Sequence, residues 1–401
     1  MESTASALDG AGLPAHPQTE SQFSHIPLEI LTRITYFIST EDFGNVRLTC
    51  RAVERALINF FSREFFTKRQ FMVFSPSLEA LVGISKHSVF SQRLKHVIIG
   101  TDHFPYLRDS NIDGTEDEKW RLKSAIADQE FLLNTGAFRD TLIEAFAGLP
   151  NLEILEIRDF NSRTRRRDGL NYEWRSWGSR TIEKETGAEL RMRWAGRNYG
   201  HPTAMFSNLV AASASLASRP AVPSLEVNIR DPGTGLCDAA FYYPPLAQVK
   251  PKIEQYLGRL TKLHLVILPH SGIDCQPEHG FLRKFLSKAV NITWLRINFQ
   301  RGTEAAKFLT SPEPAHVAFT GKRPLVLDVL PPKLEKLDLG YLNIHHTQLT
   351  YFLSSIAKRI TSLSLRRVQM TDSTIPGTSD PSNSIDRWKQ FFVKLRGIPG
   401  M

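Results

Sequence analysis

"LPNLEILEIRDF" (149–160) carries the pattern from which the architecture follows. Leu155 and Ile157 alternate with Glu156 and Arg158, the period of a strand that buries one face and shows the other to polar surroundings. Six further runs share this alternation, namely "LKHVIIG" (94–100), "VPSLEVNIRD" (222–231), "LTKLHLVIL" (260–268), "VNITWLRINF" (290–299), "LPPKLEKLDLG" (330–340) and "ITSLSLRRV" (360–368). Each reads as one short strand. Aligned on Leu155, Val227, Leu263, Leu295, Leu337 and Leu363, they are spaced by 72, 36, 32, 42 and 26 residues. Only the last spacing falls in the ~20 to 29 residue range of regular leucine-rich repeats, and the first implies a skipped repeat or an insertion.

Between several of these runs lie helix-compatible segments, "TGAFRDTLIEAFAGL" (135–149), "HGFLRKFLSKAV" (279–290) and "HHTQLTYFLSSIAKR" (345–359). Phe281, Phe285 and Leu286 share one helical stripe, as do Leu349, Phe352, Leu353 and Ile356. Strands alternating with helices predict parallel pairing through right-handed crossovers, either as an irregular leucine-rich-repeat-like arc or as an open α/β sheet. The shared L-x-x-L-x-L pattern favours the arc.

The chain has 401 residues, 41% of them hydrophobic, enough to bury a sizeable core. Cys50, Cys237 and Cys275 form no CxxC pair, so neither a disulfide framework nor a zinc ribbon is indicated. A reducing compartment, cytoplasmic or nuclear, is expected, and no run approaches the ~20 apolar residues of a membrane span.

Ahead of the strands stands "FSHIPLEILTRITYFISTEDFGNVRLTCRAV" (23–53). Pro27 suits a first helical turn, with Ser24 or His25 as cap and Glu29 near the positive end of the helix dipole. At 100° per residue, Ile30, Leu31, Ile34, Phe37 and Ile38 fall in one arc opposite Glu29 and Thr32, which predicts a core-facing stripe. Leu28 and Tyr36 fall outside it and are candidates for partner contact. Thr40, Glu41 and Asp42 open a second helix carrying Phe43, Val46 and Cys50, and Val53, Ala56, Leu57 and Phe60 continue a third. Cys50 has no orienting His and acid beside it in sequence, so a packed thiol is expected.

The order of Pro27, Ile30, Ile34, Asp42, Phe43, Val46, Leu48, Cys50, Arg51 and Val53 resembles an F-box, with "VRLTCRAV" in place of that family's similar ending. The resemblance spans 23–66; Gly44 and the Tyr36–Phe37 pair are less usual in it. It implies a non-catalytic adaptor, docked on the Skp-type subunit of a cullin-RING ubiquitin ligase, whose remaining chain recruits a protein substrate. Carried over by position, Ile26, Pro27, Leu28, Ile30, Leu31, Ile34, Phe43, Val46, Leu48, Cys50 and Val53 would divide between the helical core and the adaptor interface. The strand-bearing part resembles the leucine-rich-repeat substrate domains of such receptors. The expected class is therefore α+β: a disordered terminus (1–22), a three-helix F-box (23–66), an irregular α/β leucine-rich-repeat-like solenoid (67–370), then a loop and a last helix (371–401).

The net charge of +9 has a local address. Residues 161–200 hold ten Lys or Arg against five Asp or Glu, including Arg163, Arg165, Arg166 and Arg167, interleaved with Tyr172, Trp174, Trp177, Trp194 and Tyr199. Two readings stand. One is a solvated insertion whose "LRMRW" forms a hairpin with Leu190, Met192 and Trp194 inward; the other is a patch for an acidic or phosphorylated partner, with nucleic acid the less favoured ligand and nuclear import an equally simple use of the Arg run. No HExxH, G-x-S-x-G, phosphate loop or complete G-x-G-x-x-G occurs, which lowers the expectation of an enzyme, and no cofactor or metal is implied. Asp274, Cys275, Glu278 and His279 lie in a loop-like Pro/Gly context rather than a ligand constellation, and the adjacent His345 and His346 are expected at the surface.

Overall fold

The computed structural model describes residues 26–105, 114–163, 166–169, 172–193, 200–216, 222–268, 280–300, 330–371 and 384–397. The chain divides into two units: a helical one, described over 26–61 and 166–169, and a larger one comprising the rest.

Among the described residues of the helical unit are α1 (Leu28–Phe37), α2 (Thr40–Leu48) and the first part of α3 (Arg51–Phe65). Pro27, not Ser24 or His25, occupies the N-cap of α1, and its carbonyl accepts from the backbone N–H of Ile30 and Leu31. Ser24 and His25 lie outside the described residues. Ser39 caps α2: its hydroxyl accepts from the Asp42 N–H at 3.0 Å and donates to the Asp42 carboxylate at 2.8 Å, a reciprocal arrangement that holds the first turn. The core forms around Phe43, which is fully buried against Phe60 and Phe61 at ring separations of 5.9 and 5.3 Å. Leu31, Val53 and Leu57 are buried too.

The larger unit is mixed α/β. Its eight-stranded sheet takes the order β1 (Lys68–Met72), β2 (His96–Gly100), β3 (Ile154–Arg158), β6 (Ser224–Asn228), β7 (Lys262–Ile267), β8 (Trp294–Phe299), β9 (Lys336–Gly340), β11 (Ser362–Arg366), and every neighbouring pair is parallel. The order in space follows the order in sequence. Right-handed crossovers repeated in one direction lay the connecting helices on one face. The helices α4 (Ser75–Lys86), α7 (Ala137–Ala147), α9 (Gly200–Ser215), α10 (Lys250–Leu257) and α11 (Gly280–Lys288) accordingly pack in succession, each against the next. Outside that row, α5 (Phe90–Arg93) follows α4 and α6 (Glu116–Thr135) packs on α7. Farther on, α12 (His346–Ile356) packs on α13 (Ser384–Arg396), and β10 (Asn343–His345) pairs in parallel with β12 (Gln369–Thr371).

Register shows what sets the sheet's two faces. Val97, Leu155, Leu225, Leu263, Leu295, Leu337 and Leu363 form one continuous row; two residues along, Phe71, Ile99, Ile157 and Val227 form a second, which resumes with Leu265, Ile297, Leu339 and Leu365 past the point where β6 and β7 part, after Glu226 and His264. Except at β11, the outer strand, these side chains are buried. All seven expected strands are present. The alignment on Val227 is corrected by two residues: Leu225 stands opposite Leu155. The period of two conceals such a slip, because either choice points to the same face. The long first spacing is an insertion rather than a skipped repeat, since β3 pairs directly with β6. Inside it lie α8 (Ser179–Thr186) and the short antiparallel pair β4 (Ser162–Arg163) and β5 (Glu173–Trp174). The expected "LRMRW" hairpin is replaced by an antiparallel bridge between Arg191 and His103; Leu190 is buried, Met192 half-buried, and Trp194 lies outside the described residues. The first strand, β1, is an addition to the expected set, because its "KRQFM" has no leucine alternation to reveal it.

Candidate functional site

Two surfaces carry unusual chemistry, one on each unit. On the helical unit, the stripe expected to face the core does not do so. Ile30 and Ile34 are exposed and Phe37 is 74% exposed, whereas Leu31 and Thr35 are buried and Ile38 is half-buried. The helix is apolar around more than one face, and its buried edge is the Leu31–Thr35 line, so periodicity located an apolar arc without saying which edge of it is covered. Leu28 and Tyr36, left outside the arc, are exposed as well, and so is Leu48 on α2, at 66%. Of the other positions suggested by the F-box resemblance, Pro27 is exposed, Ile26, Val46 and Cys50 are half-buried, and Phe43 and Val53 are core. Tyr36 and Phe37 meet edge to face at 5.8 Å, and the Arg33 guanidinium lies 6.0 Å over the Phe37 ring.

Part of the basic run is structural. Asp168 accepts from the Thr40 N–H at 2.7 Å and from the Thr40 hydroxyl, tethering the first residue of α2. Arg167 donates to the Ile38 carbonyl at 3.0 Å and stacks 5.1 Å over Phe43. In the expected acidic-partner patch, Arg167 is therefore committed within the helical unit; Arg163 and Arg166 have no described side chain, and Arg165 lies outside the described residues.

On the larger unit, the residues alternating with the leucine rows make the opposite face of the sheet a ladder of polar groups. At its first end, the Arg158 guanidinium donates to Gln70 Oε1 at 2.8 Å and to Ser162 Oγ at 2.8 Å, Gln70 Nε2 donates to Ser176 Oγ at 2.9 Å, and Ser176 donates to Asp102. The Trp177 N–H closes over the strand edge onto the Gln70 carbonyl at 2.9 Å. Burial raises the Asp102 carboxyl to about 6, against the opposing Ser176 hydrogen bond. Nearby His103 and His201, also desolvated, are lowered to about 4 and about 3.

The centre of the ladder is acid paired with base. Glu156 lies 2.8 Å from His96 Nε2 and accepts from Asn228 Nδ2 at 3.0 Å; Glu226 accepts from Ser224 at 2.9 Å and pairs with Lys262 at 2.8 Å. Burial would push both carboxyls up, but His96, Lys68 and Arg158 around Glu156, and His264 and Lys262 around Glu226, hold them below the ordinary range. Farther on, Trp294 Nε1 and both Arg296 Nε and Nη2 converge on Asp338 Oδ2 at 3.1, 3.0 and 2.9 Å. Lys262 Nζ lies 4.3 Å from the Trp294 ring centroid and Lys336 Nζ 5.8 Å from it, on the two flanking strands. The His264 ring meets Trp294 edge to face at 5.0 Å.

These carboxylates are consumed by internal partners. Among the described residues no group of three or more His, Cys, Asp or Glu side chains is arranged to hold a metal, and no helix is long and apolar enough to cross a membrane. Asp274, Cys275, Glu278 and His279 fall outside the described residues. His345 is half-buried and caps α12, accepting from the Thr347 N–H at 3.3 Å. The ladder's residues were visible in the sequence as the letters between the leucines of "KLHL", "WLRI" and "KLDL". What was missing was register, which alone brings Lys262, Trp294 and Lys336 side by side. No protein-family model matches the chain, and no curated protein matches it in sequence.

Proposed function

We propose that this chain is a substrate receptor of the F-box type: α1 to α3 dock on the Skp-type subunit of a cullin-RING ubiquitin ligase, and the larger unit recruits the protein to be modified. The observation that carries the reading is the outward set of Ile30, Ile34, Phe37 and Leu48 on helices whose own core is already closed by Leu31, Phe43, Val53 and Leu57. Several large apolar side chains left exposed on so small a helical unit mark an interaction surface, since burying each is worth about 1.5–3 kcal/mol. The order of sequence features that resembles an F-box falls on these same helices. In this reading the one-directional parallel sheet is an irregular leucine-rich-repeat-like arc, and the chain works by proximity, holding a target near a ubiquitin donor supplied by other subunits. Its place of action is the cytoplasm, the nucleus or both. The alternative is a repeat-type scaffold that uses the helical unit in an assembly without a ligase.

The test is co-purification of the full chain with a Skp-type adaptor, alongside Ile34→Asp/Phe37→Asp. The expected result is a stable complex that the double variant loses while its circular dichroism stays unchanged. Failure of the parent chain to bind would overturn the ligase reading. Adaptor binding without recruitment of a cullin would favour the scaffold.

A further inference from the structure

The polar face of the sheet has an end at which internal pairing runs out. Over β1 to β7 the charged groups of the ladder have counter-charges or firm hydrogen-bond partners, as Glu156 has with His96, Glu226 with Lys262 and Arg158 with Gln70. Over β9 and β11 two exposed cations lack a counter-charge: Lys336 and Arg366 make no ion pair among the described residues, and Arg366 has only a long bond to the Ser364 hydroxyl at 3.4 Å. Both alternate onto the ladder face. Lys336 stands in register with Ser362, and Arg366 follows four residues farther along that second strand. At ~3.3 Å per residue and ~4.8 Å between strands, their Cα atoms are roughly 14 Å apart. Beside Lys336 stands the half-buried Trp294, flanked by Lys262 and fixed by its bond to Asp338. Its indole cannot swing away without giving up that bond.

We propose that this face, over β8, β9 and β11, receives an extended acidic segment of a partner protein. One anionic side chain pairs with Lys336 and another, four residues along the segment, pairs with Arg366, while an apolar or cationic side chain flanking the first rests on Trp294 beside Lys336. An extended chain advances ~13 Å in four residues, which matches the separation of the two cations. Charge complementarity selects the acid: among the described residues Lys336 and Arg366 are both uncompensated, and the carboxylate between them, Asp338, is already satisfied by Trp294 and Arg296. A guanidinium also donates to phosphate or carboxylate in bidentate fashion, so glutamate and phosphoserine are the two forms of one recognised chemistry. This deepens the receptor reading by giving the class of substrate, and rests on it only for the fate of what is bound.

The experiment measures fluorescence anisotropy of the full chain with labelled peptides of about twelve residues. One bears two glutamates four residues apart, one the same spacing in phosphoserine, one two adjacent glutamates, and one glutamine throughout. A single-stranded oligonucleotide is the competitor class. Binding is expected for the two spaced peptides, weaker by about tenfold or more for Lys336→Glu/Arg366→Glu, by a few-fold for Trp294→Ala, and weakening as salt rises. The two spaced forms separate the chemical sources of the anion. Indifference to the charge reversal, equal binding of the glutamine peptide, absence of any peptide binding, or tighter binding of the oligonucleotide would each overturn the proposal. Adaptor co-purification run on the same variants keeps the two readings apart: retained adaptor with lost peptide strikes only the peptide site, and the reverse strikes only the ligase.

Discussion

The helical unit and the sheet solve the same packing problem in opposite senses. The sheet buries its leucine rows and most of its polar ladder with them, Gln70, Glu156, Arg158, Glu226 and His264 included, whereas α1 buries one narrow line of Leu31 and Thr35 and leaves Ile30, Ile34 and Phe37 outside. A strand has two faces fixed by geometry, so alternation assigns each residue to one of them. A helix has a continuous perimeter, and an apolar arc wider than its contact must leave part of itself uncovered. Exposed apolar surface is thus a property of local sequence in this chain, while the sheet's polar ladder is a property of pairing between distant strands.

The strongest challenge to that contrast lies at the two cores. Phe43→Ala should cost about 3–5 kcal/mol and collapse the helical unit selectively, and Leu337→Ala should cost about 2–5 kcal/mol in the larger one. Urea unfolding followed by hydrogen exchange would locate each loss; a Phe43 variant that leaves α1 to α3 protected would mean that Phe43 is not their core. Next comes Ile34→Asp/Phe37→Asp, expected to weaken adaptor binding by about a hundredfold, near 3 kcal/mol, with thermal stability almost unmoved. A large drop in melting temperature would show that these side chains are core after all.

A smaller effect is expected from Asp168→Ala, which removes both bonds to Thr40 and should destabilise α2 by about 1–2 kcal/mol, readable as faster amide exchange in its first turn. The smallest prediction concerns protons. Asp102 is raised to about 6 when folded, so its contribution is fully present below the unfolded carboxyl value near 3.8 and is lost as pH rises through about 6. His103 and His201, lowered to about 4 and about 3, act the other way: each favours the folded state above 6.5 and withdraws that support as pH falls. Asp102→Asn removes the compensating carboxyl, so between pH 7 and pH 5 the variant should lose about 1 kcal/mol more stability than the parent. Equal pH slopes in urea unfolding would place Asp102 in a wetter setting than its burial suggests.

Local, periodic features were legible from the residues alone. The strand in "LEILEIR" is legible because alternation is a property of five consecutive residues, and the helices before Pro150, Asn291 and Ile360 because a stripe repeats within one element. The third helix of the helical unit and the final helix, α13, were legible on the same grounds. Everything that depends on distant residues meeting was settled by the folded chain. It resolved the long first spacing into an insertion, turned Arg167 and Asp168 from a charge run into clamps on α1 and α2, and chose which edge of the α1 arc is buried. It also set Lys262, Trp294 and Lys336 beside one another although 32 and 42 residues separate them in the chain. Period-two patterning fixes the face a residue points to but carries no information about which strand lies next to it; only the register of parallel pairing supplies that, and the ladder exists only there.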